Sequence, residues 1–164
     1  MNSHDWITKL DLLPHPEGGF YRETYRSMEM IPEDILQGFP SARNICTAIY
    51  FLLSYGKISA FHRILSDELW FFHAGSSLLI YQLDDKKGLQ THRLGLNLEK
   101  GDLPQITIPA YSWFGSEVED SDSFSLVSCT VAPGFDFMDF EMADREKLIK
   151  EYPTHQNVIE RLTY

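Results

Sequence analysis

Cysteine is nearly absent: Cys46 and Cys129 are the only two in 164 residues, and they form no CxxC pair. No disulfide framework can be drawn from them, and they read as half-buried strand thiols in a reducing compartment. Cationic side chains are also few, with 14 Lys and Arg against 24 Asp and Glu, for a net charge of −10. Such a surface repels phosphate backbones and anionic lipids, so neither nucleic acid nor membrane is expected as a partner. Long hydrophobic runs are missing as well. The longest nearly apolar stretch, Ile45 to Leu53, is too short to cross a bilayer as a helix. The opening residues Met1-Asn2-Ser3-His4-Asp5-Trp6 have no basic region followed by an apolar one, so the expected location is cytoplasmic. No repeat, low-complexity tract or Ser/Gly/Pro linker divides the chain.

What is present is an ordinary globular composition, 43% apolar and 23% charged. The length suits a single domain over residues 1–164 whose core needs no staple. Aromatic residues reach 13%, a content suited to the half-buried faces of sheets. Trp6, Leu10 and Leu13 recur at helical spacing between Asp5 and Leu13, with Pro14 as the stop. Pro16-Glu17-Gly18-Gly19 reads as a turn before a strand from Phe20 to Arg26, and 28–41 reads as a loop. Ile45–Leu53 reads as a buried strand. Further strands are expected near 58–64, 68–73, 77–83, 89–94, 105–109, 112–117 and 123–131. Turn signals separate them, among them Asp84-Asp85-Lys86-Lys87-Gly88 and Lys100-Gly101-Asp102. Many short strands so spaced predict an all-β sandwich or barrel. Helical spacing returns at the end. Leu148, Ile149 and Tyr152 share one face before Pro153, and Thr154 is placed to cap a last helix burying Val158, Ile159 and Leu162.

The segment richest in chemistry runs Gly56-x5-His62-x-Ile64-x3-Glu68-x6-Gly75. Alternation puts His62 and Ile64 on one face, and Glu68, Trp70 and Phe72 on one face of the next strand. If the two strands pair antiparallel, His62 and Glu68 converge inside the barrel. An imidazole and a carboxylate there suit either a metal or an acid/base pair.

This segment resembles the first motif of the cupin superfamily, in which Gly, two His, Glu and Gly recur at these spacings. Gly56, His62, Glu68 and Gly75 match, while Ile64 holds the place of the second His. In the second motif Pro109 matches, but Tyr111 stands for Gly and Phe114 for the ligand His. Two of the superfamily's ligand positions therefore remain, His62 and Glu68. The chain is similar to one branch in particular, the cupin 5 family. The carrying strings are His15-Pro16-Glu17-Gly18-Gly19-Phe20-Tyr21-Arg22-Glu23-Thr24-Tyr25-Arg26-Ser27, Ser66-Asp67-Glu68-Leu69-Trp70 and Cys129-Thr130-Val131-Ala132-Pro133-Gly134-Phe135-Asp136-Phe137. The resemblance implies a double-stranded β-helix, the cupin jelly-roll barrel, over about 16–138, with short helices at the N- and C-termini, the latter about 142–163. It implies a homodimer and a pocket at the barrel mouth.

The function expected is binding of a small molecule, by a metal-independent isomerase or epimerase acting on a sugar-like or carboxylated metabolite. His62 is the expected base, Glu68 its carboxylate partner, and Tyr111 or Tyr50 the expected acid. Trp70, Phe72, Trp113 and Phe114 are expected to line the pocket by stacking, with core packing as the alternative. Alternation groups Arg22 with Arg26, and Glu23 with Tyr21 and Tyr25. One of these sets is expected to reach the ligand, an Arg there suiting an anion. His73 is out of phase with Glu68, and His4, His15, His92 and His155 read as surface or capping residues. No cofactor is expected. A divalent metal at His62 and Glu68 is disfavoured, because stable sites want three or four protein ligands. The alternatives are a non-catalytic metabolite sensor, a metal-dependent oxygenase or hydrolase, and an interaction module.

Overall fold

A computed structural model describes residues 1–84 and 86–164. Asp85, within the turn expected at 84–88, lies outside the described residues. The strands are β1 (Leu13–Pro14), β2 (Phe20–Arg26), β3 (Met30–Ile31), β4 (Arg43–Asn44), β5 (Thr47–Ser54), β6 (Ile58–Arg63) and β7 (Asp67–Gly75). They continue as β8 (Leu78–Asp84), β9 (Gly88–Leu94), β10 (Gln105–Ile108), β11 (Trp113–Val118), β12 (Phe124–Ala132) and β13 (Glu141–Met142). Helices α1 (Ser3–Lys9), α2 (Arg145–Glu151) and α3 (Gln156–Arg161) flank them.

Two antiparallel sheets make a jelly roll. One has the order β1-β2-β5-β12-β7-β10, the other β13-β6-β11-β8-β9. Their inner faces share one core: Phe51, Leu53, Trp70 and Val127 from the first meet Leu78, Ile80, Phe114 and Val118 from the second. The helices explain why β5 is apolar on both faces rather than alternating. Leu52 and Leu126 point outward beneath Trp6, Ile7 and Leu10 of the N-terminal segment. On the opposite side Leu148, Ile159 and Leu162 cover Phe61, Tyr81 and Trp113 of the second sheet. None of the helices formed by the described residues is long and apolar enough to cross a membrane.

The helix expected over Asp5–Leu13 is shorter and earlier. Asn2 and Asp5 form a reciprocal capping box, and the helix closes at Leu10. Asp11 then takes a positive φ of 51°, turning the chain so that Leu13 pairs with Tyr21 in β1–β2. Thr154 does not cap the last helix. Pro153–His155 forms a 3-10 turn that runs into α3 without a side-chain cap. The expected antiparallel pairing of the His62 and Glu68 strands is also corrected: β6 and β7 belong to different sheets. The chain crosses between sheets at 64–66, where the Ser66 hydroxyl donates to the Pro133 carbonyl at 2.7 Å.

Candidate functional site

Between the two sheets, at one end of the barrel, lies a cavity of about 420 Å³. His62 and Glu68 both line it, from opposite sheets rather than from paired strands. His62 is buried and held rigidly. Its Nδ1 lies 2.7 Å from the Ala60 carbonyl, and its ring packs on Phe114 at 4.2 Å and Phe140 at 5.3 Å. A carbonyl only accepts, so Nδ1 carries a proton, which leaves Nε2 as the second polar atom of the ring.

That nitrogen faces Glu17, whose Oε2 is 3.2 Å away. The same oxygen lies 3.3 Å from Nδ1 of His15, and Ser59 Oγ donates to Oε1 at 2.8 Å. Burial acts to raise the Glu17 carboxyl, but the adjacent His62, with His15 and Ser59, overcomes it and holds Glu17 below its ordinary value. Glu68 behaves in the opposite way. Burial, reinforced by the charge of Glu17, pushes it up to about 8 despite the Cys129 thiol and the Trp70 indole nearby. The Trp70 Nε1–H falls short of hydrogen-bond geometry and has no partner among the described residues. Cys129 is a buried free thiol that burial and the two glutamates push well above its ordinary value.

Glu17 and His15 were not among the expected site residues; His15 was expected at the surface, yet its side chain is only 6% exposed. Both sit in the turn before β2, where strand periodicity says nothing about direction. Backbone anchors fold this turn over the cavity: Ala60 N–H donates to the Glu17 carbonyl at 2.8 Å, and His15 N–H to the Gly19 carbonyl at 3.1 Å. Gly18 has a φ of 110°, and a Cβ there would lie 2.1 Å from the Ile58 carbonyl oxygen. Gly18→Ala is therefore expected to cost about 3 kcal/mol or more and to pull Glu17 from His62. A denaturant melt checks the stability. Loss of the Glu17 contact appears as a changed His62 imidazole signal in NMR.

The Arg22/Arg26 grouping is corrected by a bulge. The β2–β5 register shifts between Glu23 and Tyr25, so Arg26 turns to the side of Tyr21 and Glu23. Tyr21, Glu23 and Arg26 line the cavity, whereas Arg22 lies outside it, 3.6 Å from Asp11. Arg26 is already occupied. Its Nε and Nη2 bind Glu23 at 2.9 and 2.7 Å, Nη1 binds Asn44 at 2.9 Å, and Nη2 reaches the Phe135 carbonyl at 3.1 Å.

Of the expected aromatic lining, Trp70 is on the cavity wall. Phe114 stands behind His62, and Phe72 packs against the core and borders a different groove. Trp113 and Tyr111 line a separate surface groove, where Arg63 stacks on Trp113 at 4.4 Å. Tyr50 shares an outward-facing cluster with Leu52 and Leu126. Among the described residues Tyr21 is the tyrosine that lines the cavity, its ring 4.5 Å from that of His15.

The donor set does not suit a cupin-type metal. Ile64 and Phe114 replace two ligands with hydrocarbon, and both nitrogens of His62 face protein oxygens. No group of three or more His, Cys, Asp or Glu among the described residues has a metal-holding arrangement.

Two facing antiparallel sheets with a side-chain-lined cavity at one end define a cupin-type barrel. The chain belongs to the Cupin_5 family, described as Cupin superfamily (DUF985), which it matches over residues 4–143. It is 28% identical over 157 residues to an uncharacterised protein of Saccharomyces cerevisiae, covering 90% of this chain and 76% of that protein. A Shewanella oneidensis protein solved by X-ray crystallography is similar with a TM-score of 0.88 at 44% identity, covering 100% of this chain and 98% of the other. A hypothetical protein from Leishmania major is similar with a TM-score of 0.90 at 36% identity, covering 100% and 99%. Oxalate decarboxylase from Bacillus subtilis, at 13% identity and a TM-score of 0.56, covers 91% of this chain and 36% of the enzyme, and shares the fold alone.

Proposed function

We propose that the cavity binds a small sugar-like metabolite and moves a proton on it without a metal, as an isomerase or epimerase. One observation carries this reading: two buried carboxylates of a single cavity are driven in opposite directions, Glu17 downward and Glu68 up to about 8. Environments that separate two such groups are how a site keeps a base and an acid ready at one pH. In this scheme the ionised Glu17 carboxylate, rather than His62, takes a proton from a carbon next to a carbonyl. His62, with Nε2 turned to Glu17 and Nδ1 fixed by the Ala60 carbonyl, balances the charge of that carboxylate and positions it. Glu68, protonated at neutral pH, returns a proton from the facing sheet. Reversal on the next substrate restores both groups. The carboxylated class of metabolite loses its support, since the Arg26 charge is already matched by Glu23.

The test is hydrogen exchange in heavy water with a panel of aldoses, ketoses and their derivatives, followed by NMR. Wild-type protein is expected to wash deuterium into its substrate. His62→Gln and Glu17→Gln are expected to lower the rate by about 10²-fold or more while the circular dichroism is unchanged. A ligand that binds through His62 yet never exchanges would instead favour a metabolite sensor. The hydrocarbon of Ile64 and Val131 on the cavity wall supports that second reading.

A further inference from the structure

The cavity has a charge pattern that neither its fold nor its proton chemistry requires. The cavity wall carries one guanidinium, Arg26, and two carboxylates, Glu23 and Asp136, while the Arg43–Asp139 pair is buried near Asp136. Arg26 is bound through both Nε and Nη2 to Glu23, and Arg43 likewise to Asp139. Among the described residues, Asp136 is thus the carboxylate of this group without a dedicated ion-pair partner. Its Oδ1 accepts from the Met138 N–H at 2.9 Å, and its Oδ2 accepts no hydrogen bond from the described residues. Beside it, the half-exposed ring of Phe137 stands 5.0 Å from that of Phe135. A carboxylate beside an exposed aromatic side chain attracts a cation and repels an anion.

The floor asks for something different. Glu68 is 7% exposed and lines the cavity, whereas the Trp70 indole nitrogen beside it has no accessible surface to offer a ligand. A buried donor left unpaired costs free energy that a ligand oxygen recovers. Glu68 is held in its protonated form at neutral pH, so it offers that donor.

We propose that the ligand carries an ammonium group, seated at the mouth against Asp136 and Phe137, and a hydroxyl or carbonyl oxygen that accepts from Glu68 on the floor. The chemical class is an amino sugar or amino alcohol. This rests on the cavity being the functional site, and it names which kind of sugar-like molecule enters. The net charge of −10 acts in the same direction, drawing cations toward the whole surface.

Calorimetry with two matched series near neutral pH tests it: glucosamine, glucose and glucuronate, and ethanolamine, ethylene glycol and glycolate. In at least one series the ammonium member is expected to bind about tenfold or more tighter than the neutral one, with the anion weakest. Asp136→Asn keeps the side-chain cap on Met138 and removes the charge, and is expected to erase that preference. The inference is overturned if the neutral or anionic member binds as tightly as the ammonium one. It is also overturned if no ammonium member binds at up to about 10 mM, or if Asp136→Asn keeps the preference. Neutral or anionic binding that His62→Ala abolishes would leave the proposed function standing. Ammonium binding indifferent to His62→Ala and Asp136→Asn alike would place it elsewhere and overturn both.

Discussion

Glu68→Gln is expected to stabilise the folded chain at neutral pH while stopping proton transfer. An ordinary glutamate ionises near 4.5, and this one is pushed up to about 8 by burial and the Glu17 charge. Between those two values the folded state holds a proton that the unfolded chain has lost, so stability falls as pH rises across this window. Above about 8 the penalty is complete and flat. At pH 7 it is on the order of 3 kcal/mol. Glutamine has nearly the same shape and no charge to suppress, so the variant escapes the penalty, and its advantage over wild type should grow from about pH 4.5 to pH 8. Glu17 contributes the opposite slope. Its carboxyl is held below the ordinary value, so its contribution is present above about 4.5 and is lost as pH falls through its lowered folded value. Urea melts of both proteins across this range measure the difference. A variant less stable than wild type at pH 7, or a difference that ignores pH, would mean that Glu68 is ionised in the native state. A gain in stability bought with lost chemistry is the usual relation at a functional site.

Arg43→Ala is expected to be the most damaging single change, at about 3–5 kcal/mol. The guanidinium meets Asp139 through two bonds, Nε–Oδ2 at 2.7 Å and Nη2–Oδ1 at 2.5 Å, with side chains 2% and 3% exposed. Its Nη1 also donates to the carbonyls of Ser41 and Ala42, and to the Ser41 hydroxyl. Truncation would leave a buried carboxylate without a counter-charge, which is the costly half of breaking such a pair. The damage should reach the ligand site as well, because Asp139 closes the segment that carries Phe135, Asp136, Phe137 and Phe140 over the cavity. Removing both charges, as in Arg43→Met with Asp139→Leu, should cost less than Arg43→Ala alone. A loss below about 1 kcal/mol for Arg43→Ala would show that water reaches the pair and that the segment is held by other contacts.

Much of the barrel was legible because strands announce themselves by period. The strand expected at 68–73 is β7, Asp67–Gly75, and Glu68 and Trp70 face inward as alternation required. Alternation fails where the backbone inserts a residue. The bulge in β2 moves Arg26 to the side of Glu23, and no local residue type marks it in the sequence. Alternation is also silent in turns, which is why His15 and Glu17 were missed. The available signal was the Gly18-Gly19 pair, a turn tight enough to fold the preceding residues back onto the sheet. The pairing of His62 with Glu68 across sheets could not be read from spacing. A corner at 64–66 and a hairpin leave similar gaps between strands.

Carboxyl-detected NMR titration of the glutamate-labelled protein puts the proton account to its sharpest trial, because it reads each acid separately. Glu68 is expected to titrate near pH 8, and Glu17 below the ordinary glutamate value. Replacing Glu17 by Gln should move the Glu68 midpoint downward, since the Glu17 charge is one of the causes holding it up. A Glu68 signal already ionised at pH 7, with a midpoint close to 4.5, would contradict the assignment of an acid and a base to this cavity.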